Sequence, residues 1–489
     1  MSTGDDIEVQ LRFRDSHWQS LHNHLFTNPS DEHGAALLCG TARAGGKVVL
    51  LVREVILAKD GVDYVPGTRG YRHLSGEFVT HALRRAKNAG LVYLAVHNHG
   101  GTDEVSLSAP DMTSHERGYP TLLALNGAPV GGVVLARHAL AGDIWFTDGS
   151  RRTVDATVVI GPSMDVMTDG TRRRDDGGIG CAKTHARQAL IFGDVGNDRM
   201  KRLKVGVIGA GGVGMLIIQA LSRLGVGHFV IIDPDYVSIT NLSRLPEASR
   251  RDAAGRFGHG RVGRLAKKFG FNQPTWKVDL ARRVIRGATL DAAITAIRGD
   301  VADDKVAREL LDCDFIFLAA DTMLARDVVN QIAYQYLIPT LQVGSKVVLD
   351  KKSGAVLDVY GVVRSLGAEI GCMRCNGLVN LAKLAEEAVA TDEQRRNQRY
   401  VDEPGINAPS VITLNMLSAG WAVNDFMLYA SGLGRPASGF RLLRNRPVKE
   451  GHPHVVAQRP AVDPACYVCG DGPHSVLARG DGKELPTRV

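Results

Sequence analysis

Two Cys-x-x-Cys pairs, Cys372 and Cys375 in GCMRC and Cys466 and Cys469 in ACYVCG, supply four thiolates to this chain. Four thiolates suit a closed tetrahedral zinc site, and with no open coordination position such a site is structural. A second concentration of chemistry lies in LAVHNHGGTDEVSLSAPDM, residues 94–112. There His97 and His99 stand one residue apart at the end of an apolar run, and Ser108 and Asp111 follow within reach. Imidazoles and carboxylates are metal ligands, so this stretch reads as a second metal site. The third is KVGVIGAGGVGMLIIQALSRLGVGHFVIIDPD, where Gly209, Gly211 and Gly214 keep a Gly-x-Gly-x-x-Gly spacing around Gly212. Glycines let backbone amides approach a phosphate, and the helix start favours its negative charge. Asp233 closes the following strand, where a carboxylate can bond ribose hydroxyls. Alone, this motif would suit a nicotinamide-dependent dehydrogenase.

The elements needed to hold these residues are legible in the apolar pattern. Residues 1–150 alternate short apolar runs (GAALLCGT, KVVLLVREVILA, LVYLAVHNH, PVGGVVLARHAL) with one helical stretch, GEFVTHALRRAKNAG. That pattern predicts a mixed sheet with packed helices. Residues 151–180 are rich in Gly, Asp and Arg and read as a linker. From 181 to 489 strands alternate with helices, the signature of a doubly wound parallel sheet. The chain is thus α/β throughout, with no internal repeat.

Composition narrows the classes. The 489 residues are 44% hydrophobic and 23% charged, with a net charge of +7. The basic residues are scattered, which reads as a solvated surface and argues against a nucleic-acid partner. The polar first twenty residues predict no signal peptide. Residues 205–222 carry no charge and just reach the length of a membrane helix, but their glycines predict strand, loop and helix instead. A cytoplasmic, non-membrane protein is expected, with its paired cysteines binding metal and forming no disulfides.

The residues after Asp233 refine the nucleotide reading. DPDYVSITNLSR resembles the stretch after the nucleotide loop in E1-like (ThiF/MoeB) adenylyltransferases, with Asp235, Asn241 and Arg244 matching Asp-x-Asp and Asn-Leu-x-Arg. HARQALIFG is similar to that family's N-terminal helix and makes Arg187 the residue that reaches a partner subunit's nucleotide. FIFLAADTMLARDVVNQIAYQYLIPTLQVG resembles its Asp-x-x-x-x-Arg strand end, giving Asp321 and Arg326. The resemblance spans about residues 181–470 and implies attack of a carboxylate on the α-phosphate of ATP. Such a reaction needs positioning and charge stabilisation more than covalent chemistry. It implies phosphate neutralisation by Arg187, Arg244 and one further cation, and Mg²⁺ held by Asp321. The family's lysine falls in GHGRVGRLAKKFGFNQP, where Arg261 takes its place and Lys267 is the other candidate. Arginine would keep the charge and the phosphate fork. The resemblance also implies pairing of two activation domains and an acyl-adenylate on the C-terminal glycine of a ubiquitin-like or sulfur-carrier β-grasp protein.

One departure concerns the thioester. E1 enzymes that serve a conjugating-enzyme partner carry a reactive cysteine ahead of a segment like APSVITLNMLSAGWAVNDF. Here no cysteine lies between Cys375 and Cys466, and Cys39, Cys181 and Cys313 fall outside that segment. Adenylation without a conventional thioester is the expectation, with Cys181 the best stand-in.

The His-x-His and Ser-x-x-Asp residues resemble the JAMM (JAB/MPN+) metallo-isopeptidase motif, and DEHGAALLCG resembles its upstream glutamate segment. The resemblance covers about residues 8–145. It implies a catalytic Zn²⁺ on His97, His99 and Asp111, Glu32 as general base, and Ser108 steadying the oxyanion. Gly100 stands where that family has proline, and the His99-to-Ser108 spacing is one residue longer than its commonest form. The whole chain is similar to JAB–E1 fusions of bacterial ubiquitin-like modification operons. That implies one tool for activating a modifier and one for trimming or removing it. A sulfur-carrier activator for cofactor synthesis, or a nucleotide-binding regulator with decayed sites, are the other readings.

Overall fold

The computed structural model describes every residue except 1–6, 29–30, 67–71, 162–163, 169–170, 173–182, 256–259, 269–271, 351–352, 390–408, 434–438, 445–453 and 489. Cys181 therefore lies outside the described residues, as does most of the expected thioester neighbourhood before Pro409. The chain divides into two units. The first holds Met1–Asp176, Tyr334–Leu337 and Pro464–Glu484, and the second holds Gly177–Ala333, Ile338–Asp463 and Leu485–Val489.

The first unit runs β1 (Glu8–Arg14), α1 (Asp15–Leu25), β2 (Gly34–Ala44), β3 (Lys47–Leu57), α2 (Gly76–Ala89), β4 (Val92–Asn98), α3 (Ala109–Asn126), β5 (Val130–Leu135) and β6 (Leu140–Trp145). It continues through β7 (Arg151–Thr153), β8 (Ala156–Ile160), β9 (Met164–Thr168) and β10 (Thr171–Arg172). These form one mixed sheet in the order β10-β9-β8-β1-β3-β2-β4-β5-β6-β7. The expected linker, 151–180, therefore contains sheet as far as Arg172. Ala156, Val158, Val159 and Ile160 bury apolar side chains there, which a glycine count does not register. Helices α1 and α3 were also hidden. Helix α1 buries only Leu21 and Leu25, and α3 carries Pro120 and buries Asp111, His115, Tyr119 and Asn126, so neither shows an apolar stripe.

Alternation along the strands divides the core between the two faces. Val9, Leu11, Phe13, Leu37 and Leu94 pack with Leu21 and Leu25 of α1 on one face. Ala36, Leu38 and Tyr93 pack with α2 and Tyr119 of α3 on the other. Segment 464–484 is stitched into this unit by buried and half-buried arginines. Arg53 donates to the carbonyls of Gly472 and Leu477, the first at 2.7 Å. Arg479 donates to Ala89 O at 2.7 Å, and Arg14 pairs with Asp471 at 3.0 Å. Arginine suits this work because its fork keeps its charge while satisfying several carbonyls of an irregular backbone.

The second unit begins with α4 (Ala186–Arg202), β11 (Lys204–Ile208), α5 (Gly212–Leu224), β12 (His228–Ile232), α6 (Arg250–Ala254), α7 (Arg261–Lys268), α8 (Lys277–Ala288) and β13 (Ala293–Ile297). It proceeds through α9 (Asp304–Arg308), β14 (Phe315–Leu318), α10 (Met323–Gln335), β15 (Thr340–Leu349), β16 (Val356–Leu366), α11 (Leu381–Val389), α12 (Ile412–Ser431), β17 (Phe440–Arg444) and β18 (His454–Gln458). The sheet order is β13-β12-β11-β14-β15-β16-β17-β18. Strands β13 to β15 are mutually parallel, and β16 to β18 add antiparallel strands at one side. From β11 the chain winds outward to β12, whereas from β14 it winds the other way to β15. Right-handed crossovers then set α5 and α10 on opposite faces, leaving a topological switch point between β11 and β14. Segment 205–222 is strand, loop and helix, and among the described residues no helix is long and apolar enough to cross a membrane.

Candidate functional sites

At the switch point the glycine loop has the geometry its spacing predicts. Gly209 adopts φ +90°, and Gly211 is the N-cap of α5. A Cβ on Gly214 would overlap the carbonyl oxygen of Gly209 at 1.7 Å, so only glycine lets helix and strand close here. A Cβ on Gly209 would stand 3.0 Å from the backbone of Ala319 and Ala320, so the loop after β14 lies against the loop after β11. Asp321, exposed, is the next residue of that loop.

Asp233 is buried, and its two oxygens accept the amides of Ala210 at 2.7 Å and Asp235 at 2.8 Å. It braces the glycine loop from beneath, leaving the more exposed Asp235 as the carboxylate turned outward. Lys277, at the start of α8, reaches both, with Nζ 2.8 Å from Asp235 and 3.7 Å from Asp233. It is held there by a short pairing of 235–237 with 275–277, in which Tyr236 and Trp276 stack at 3.7 Å between ring centroids. Burial raises the Asp233 carboxyl above its usual range, against the pull of Lys277.

Lys277 was missed by counting residues. Arg261 is exposed on α7, and the Lys267 side chain lies outside the described residues. The cation that the structure sets beside the two aspartates comes sixteen positions after Arg261, in TWKVDLARR. Its signal was the apolar stripe of α8, Val278, Leu280, Ala281, Val284 and Ile285, whose first residue follows this lysine.

Asn241 accepts the amide of Ser238 at 3.1 Å and closes the turn that carries Arg244, which donates to Thr240 O at 2.8 Å. Both the Arg244 carbonyl and the Asn415 amide crowd Gly212, where a Cβ would meet them at 3.0 and 2.6 Å. Asn415, buried on α12, was not anticipated. It is fixed by Ser345 Oγ, which donates to its Oδ1 at 2.6 Å. Arg187 is exposed on α4, next to the exposed Leu190 and Ile191 and before a break at Phe192 and Gly193.

In the first unit, β4 delivers His97 and His99, and α3 delivers Ser108 and Asp111. The histidine Nε2 atoms are 3.1 Å apart, and they stand 3.4 and 3.5 Å from the Asp111 oxygens. Ser108 is the N-cap of α3 in a capping box, donating its hydroxyl to Asp111 Oδ2 at 2.6 Å. Although burial opposes ionisation, His97 and Ser108 hold the Asp111 carboxyl well below the usual carboxylate range. Burial raises the Glu32 carboxyl, whose Oε2 is buried without a partner among the described residues, close enough to feel His97 and Asp111. Helix α3 is pinned one turn beyond Asp111. There His115 bonds Asp143 at 3.0 Å, and Arg151 of β7 grips the same carboxylate at 2.7 Å. Two imidazoles and a carboxylate, with a second buried carboxylate oxygen unsatisfied beside them, fit zinc with one position left open.

The paired cysteines sit in two tight turns, Cys372 and Cys375 in the second unit and Cys466 and Cys469 in the first. Cys372 and Cys375 Sγ are 3.6 Å apart, near the roughly 3.8 Å edge of a tetrahedron with ~2.3 Å Zn–S bonds. Backbone amides of Cys375 and Val468 approach Cys372 and Cys466 Sγ at 3.5 and 3.3 Å, as donors to thiolates do.

Comparison with known proteins assigns the second unit. The ThiF family profile matches residues 185–449. The chain belongs to the ThiF family. The molybdopterin-synthase adenylyltransferase of Escherichia coli is 26% identical over 288 residues, 58% of this chain and 94% of that protein. The sulfur carrier protein ThiS adenylyltransferase of Bacillus subtilis is 30% identical over 194 residues, 39% of this chain and 49% of that one. Among solved structures, Escherichia coli MccB with MccA-N7isoASN is 18% identical with a TM-score of 0.43, covering 59% of this chain and 76% of that chain. The ThiF match begins at residue 185, so the histidine site of the first unit rests on its own geometry.

Proposed function

We propose that the ThiF unit adenylates the C-terminal carboxylate of a sulfur-carrier or ubiquitin-like β-grasp protein. The observation that carries this is the convergence at one switch point of the glycine loop, the Asp233–Asp235–Lys277 group and the loop ending in Asp321. The relatives named above are adenylyltransferases, one of them for a sulfur carrier protein. In the proposed reaction a carboxylate oxygen bonds to the α-phosphorus of ATP, the bond to the bridging oxygen breaks, and pyrophosphate leaves with the electron pair. The amides at the start of α5 hold phosphate oxygens, Asp235 takes ribose hydroxyls, and Lys277 and Arg244 offset the charge that grows on the phosphates. Asp321 would hold Mg²⁺, which supplies charge neutralisation on the leaving group. Asp321→Ala should abolish Mg²⁺-dependent exchange of pyrophosphate into ATP, and full exchange in that variant would sink the assignment. We also propose that two such units pair through the face bearing Arg187, Leu190 and Ile191, whose exposed side chains otherwise have no evident role. A monomer active at high dilution would contradict the pairing.

For the first unit we propose a zinc-dependent amidase of the JAMM type, trimming residues beyond a modifier's terminal glycine or removing the modifier from a target. The support is the His97–His99–Asp111 convergence with the orphaned Glu32 oxygen. Zinc there would supply a polarised water, and Glu32, its carboxyl raised by burial, is suited to accept that water's proton. Ser108 can steady an oxyanion only if its hydroxyl turns from Asp111. His97→Ala should leave the protein folded while lowering its zinc content, and unchanged zinc would refute the site.

The proposed transfer proceeds without a conventional thioester. Cys39 is buried, and burial pushes its thiol far above the ordinary range. Cys313 is buried too. The adenylate is then consumed directly by a partner's thiol or amine, including one on a conjugating-enzyme-like protein.

A further inference from the structure

Leu318 of β14, Gln342 of β15 and Arg364 of β16 lie in one row across three strands, level with the end of β14. Arg364 donates to Gln342 Oε1 at 2.6 Å, so both side chains share a face of the sheet. The opposite face carries α12, because Ser345 meets Asn415 and a Cβ on Gly361 would meet Ser418 Oγ at 2.4 Å. Arg364 and Gln342 therefore stand on the α10 side, and Arg326, at the end of the first turn of α10, is close enough for its charge to act on Arg364. The Arg326 guanidinium makes no hydrogen bond or ion pair among the described residues, and its Nε is buried without a partner. Among the described residues the hydrogen-bond partner of the Arg364 guanidinium is the neutral Gln342, with the Phe440 ring 5.8 Å from its guanidinium carbon.

Two half-buried arginines near enough for one charge to act on the other, neither bonded to a carboxylate among the described residues, form a cationic pair that lacks its anion. Burial and the neighbouring Arg326 charge push Arg364 down to about 10. Burial lowers Arg326 as well, opposed by Asp321 and Glu387 at longer range. One Glu387 oxygen is already engaged, accepting the Leu324 amide at 2.9 Å at the start of α10.

We infer that Arg326 and Arg364 receive the terminal carboxylate of the carrier's C-terminal segment as it enters the crevice from the α10 side. This rests on the adenylation reading. The nucleotide phosphates have their own receiver in the amides of α5, on the opposite face of the sheet. The anion that remains for the α10 side is the second reactant. Bonds from a planar guanidinium fork would also fix which carboxylate oxygen faces the phosphorus.

The test uses the full chain with an ATP analogue that has a methylene α,β-bridge, and two synthetic peptides ending in Gly-Gly. One has a free carboxylate and the other is its C-terminal amide. Calorimetry should show the carboxylate form binding roughly 10-fold more tightly, as charge-assisted bonds predict. Arg364→Gln should remove that preference, Arg364→Lys should keep part of it, and binding of the analogue alone should stay within about twofold. Arg326→Gln should act like Arg364→Gln, and if it alters melting, the strand variant decides. The inference is overturned if the unaltered protein shows no carboxylate preference, or if the preference survives Arg364→Gln. It also falls if Arg364→Gln weakens the analogue as much as the peptide, which would assign the pair to nucleotide phosphates. Loss of pyrophosphate exchange with the preference intact would sink the adenylation reading and leave the receiver standing.

Discussion

Replacing Lys277 with methionine removes the positive charge that the structure sets between Asp233 and Asp235. At an effective dielectric of 20 the ammonium attracts Asp235, 2.8 Å away, by about 6 kcal/mol and Asp233, 3.7 Å away, by about 4.5 kcal/mol. These are gross attractions. Asp235 has a side-chain exposure of 40%, so solvent screens its share, and the desolvation of the lysine offsets much of the rest. The larger effect is on Asp233, which stays buried with a like charge beside it and its ion-pair partner gone. Breaking a pair on a buried carboxylate costs about 3–5 kcal/mol. For a unit of this size that is a melting-temperature loss of about 5–10 °C.

The pH dependence has a definite sign. Burial already raises the folded-state value of Asp233, and removing Lys277 raises it further. A carboxyl whose folded value lies above the unfolded one, about 3.9, stabilises the fold at low pH. That contribution is lost as pH rises from about 3.9 through the folded value. The penalty of Lys277→Met should therefore be large near pH 7 to 8 and shrink towards pH 4. Thermal melts across that range check the sign, and pyrophosphate exchange should fall by at least about 100-fold as the glycine loop loses its brace and the phosphates a cation. Lys277→Arg should recover part of both. A penalty that does not vary with pH, or full exchange in Lys277→Met, would refute the reasoning.

Elemental analysis should find about two zinc ions per chain, and Cys372→Ser should lose one of them and melt earlier, since binding to a closed thiolate site is also folding energy. A stable Cys372→Ser protein with unchanged zinc would contradict the structural role. Arg53→Met should destabilise the first unit by about 1–3 kcal/mol, because it strands the part-buried carbonyls of Gly472 and Leu477. Limited proteolysis of segment 464–484 reads that loss, and unchanged resistance would count against it. With protein, ATP and carrier, no reductant-sensitive adduct is expected on a non-reducing gel, and one that disappears in Cys181→Ala would make Cys181 the acceptor.

Residues whose spacing is local were legible in the sequence. The glycine loop, the strand ends at Asp233 and Asp321, the His97–His99 pair and the two Cys-x-x-Cys turns each sit on one short element, so their side chains fall where the element's period places them. Residues brought in by topology were not. Lys277 reaches the site because 235–237 pairs with 275–277, and it lies 42 residues from Asp235, beyond the reach of any local spacing. Asn415 arrives beside Gly212 through helix packing, and Arg364 arrives beside Gln342 through strand pairing, each far along the chain from its neighbour. The strands between Arg151 and Arg172 escaped notice because their glycine- and arginine-rich surroundings resemble a linker, although Arg151 anchors Asp143 and through it α3.

The central claim is tested most directly by the intact mass of the carrier. A β-grasp carrier protein ending in Gly-Gly, incubated with ATP, Mg²⁺ and the full-length protein, should gain one adenylyl group on its C-terminal carboxylate, with one pyrophosphate released for each. Release of ADP and orthophosphate with no adenylylated carrier would contradict the account.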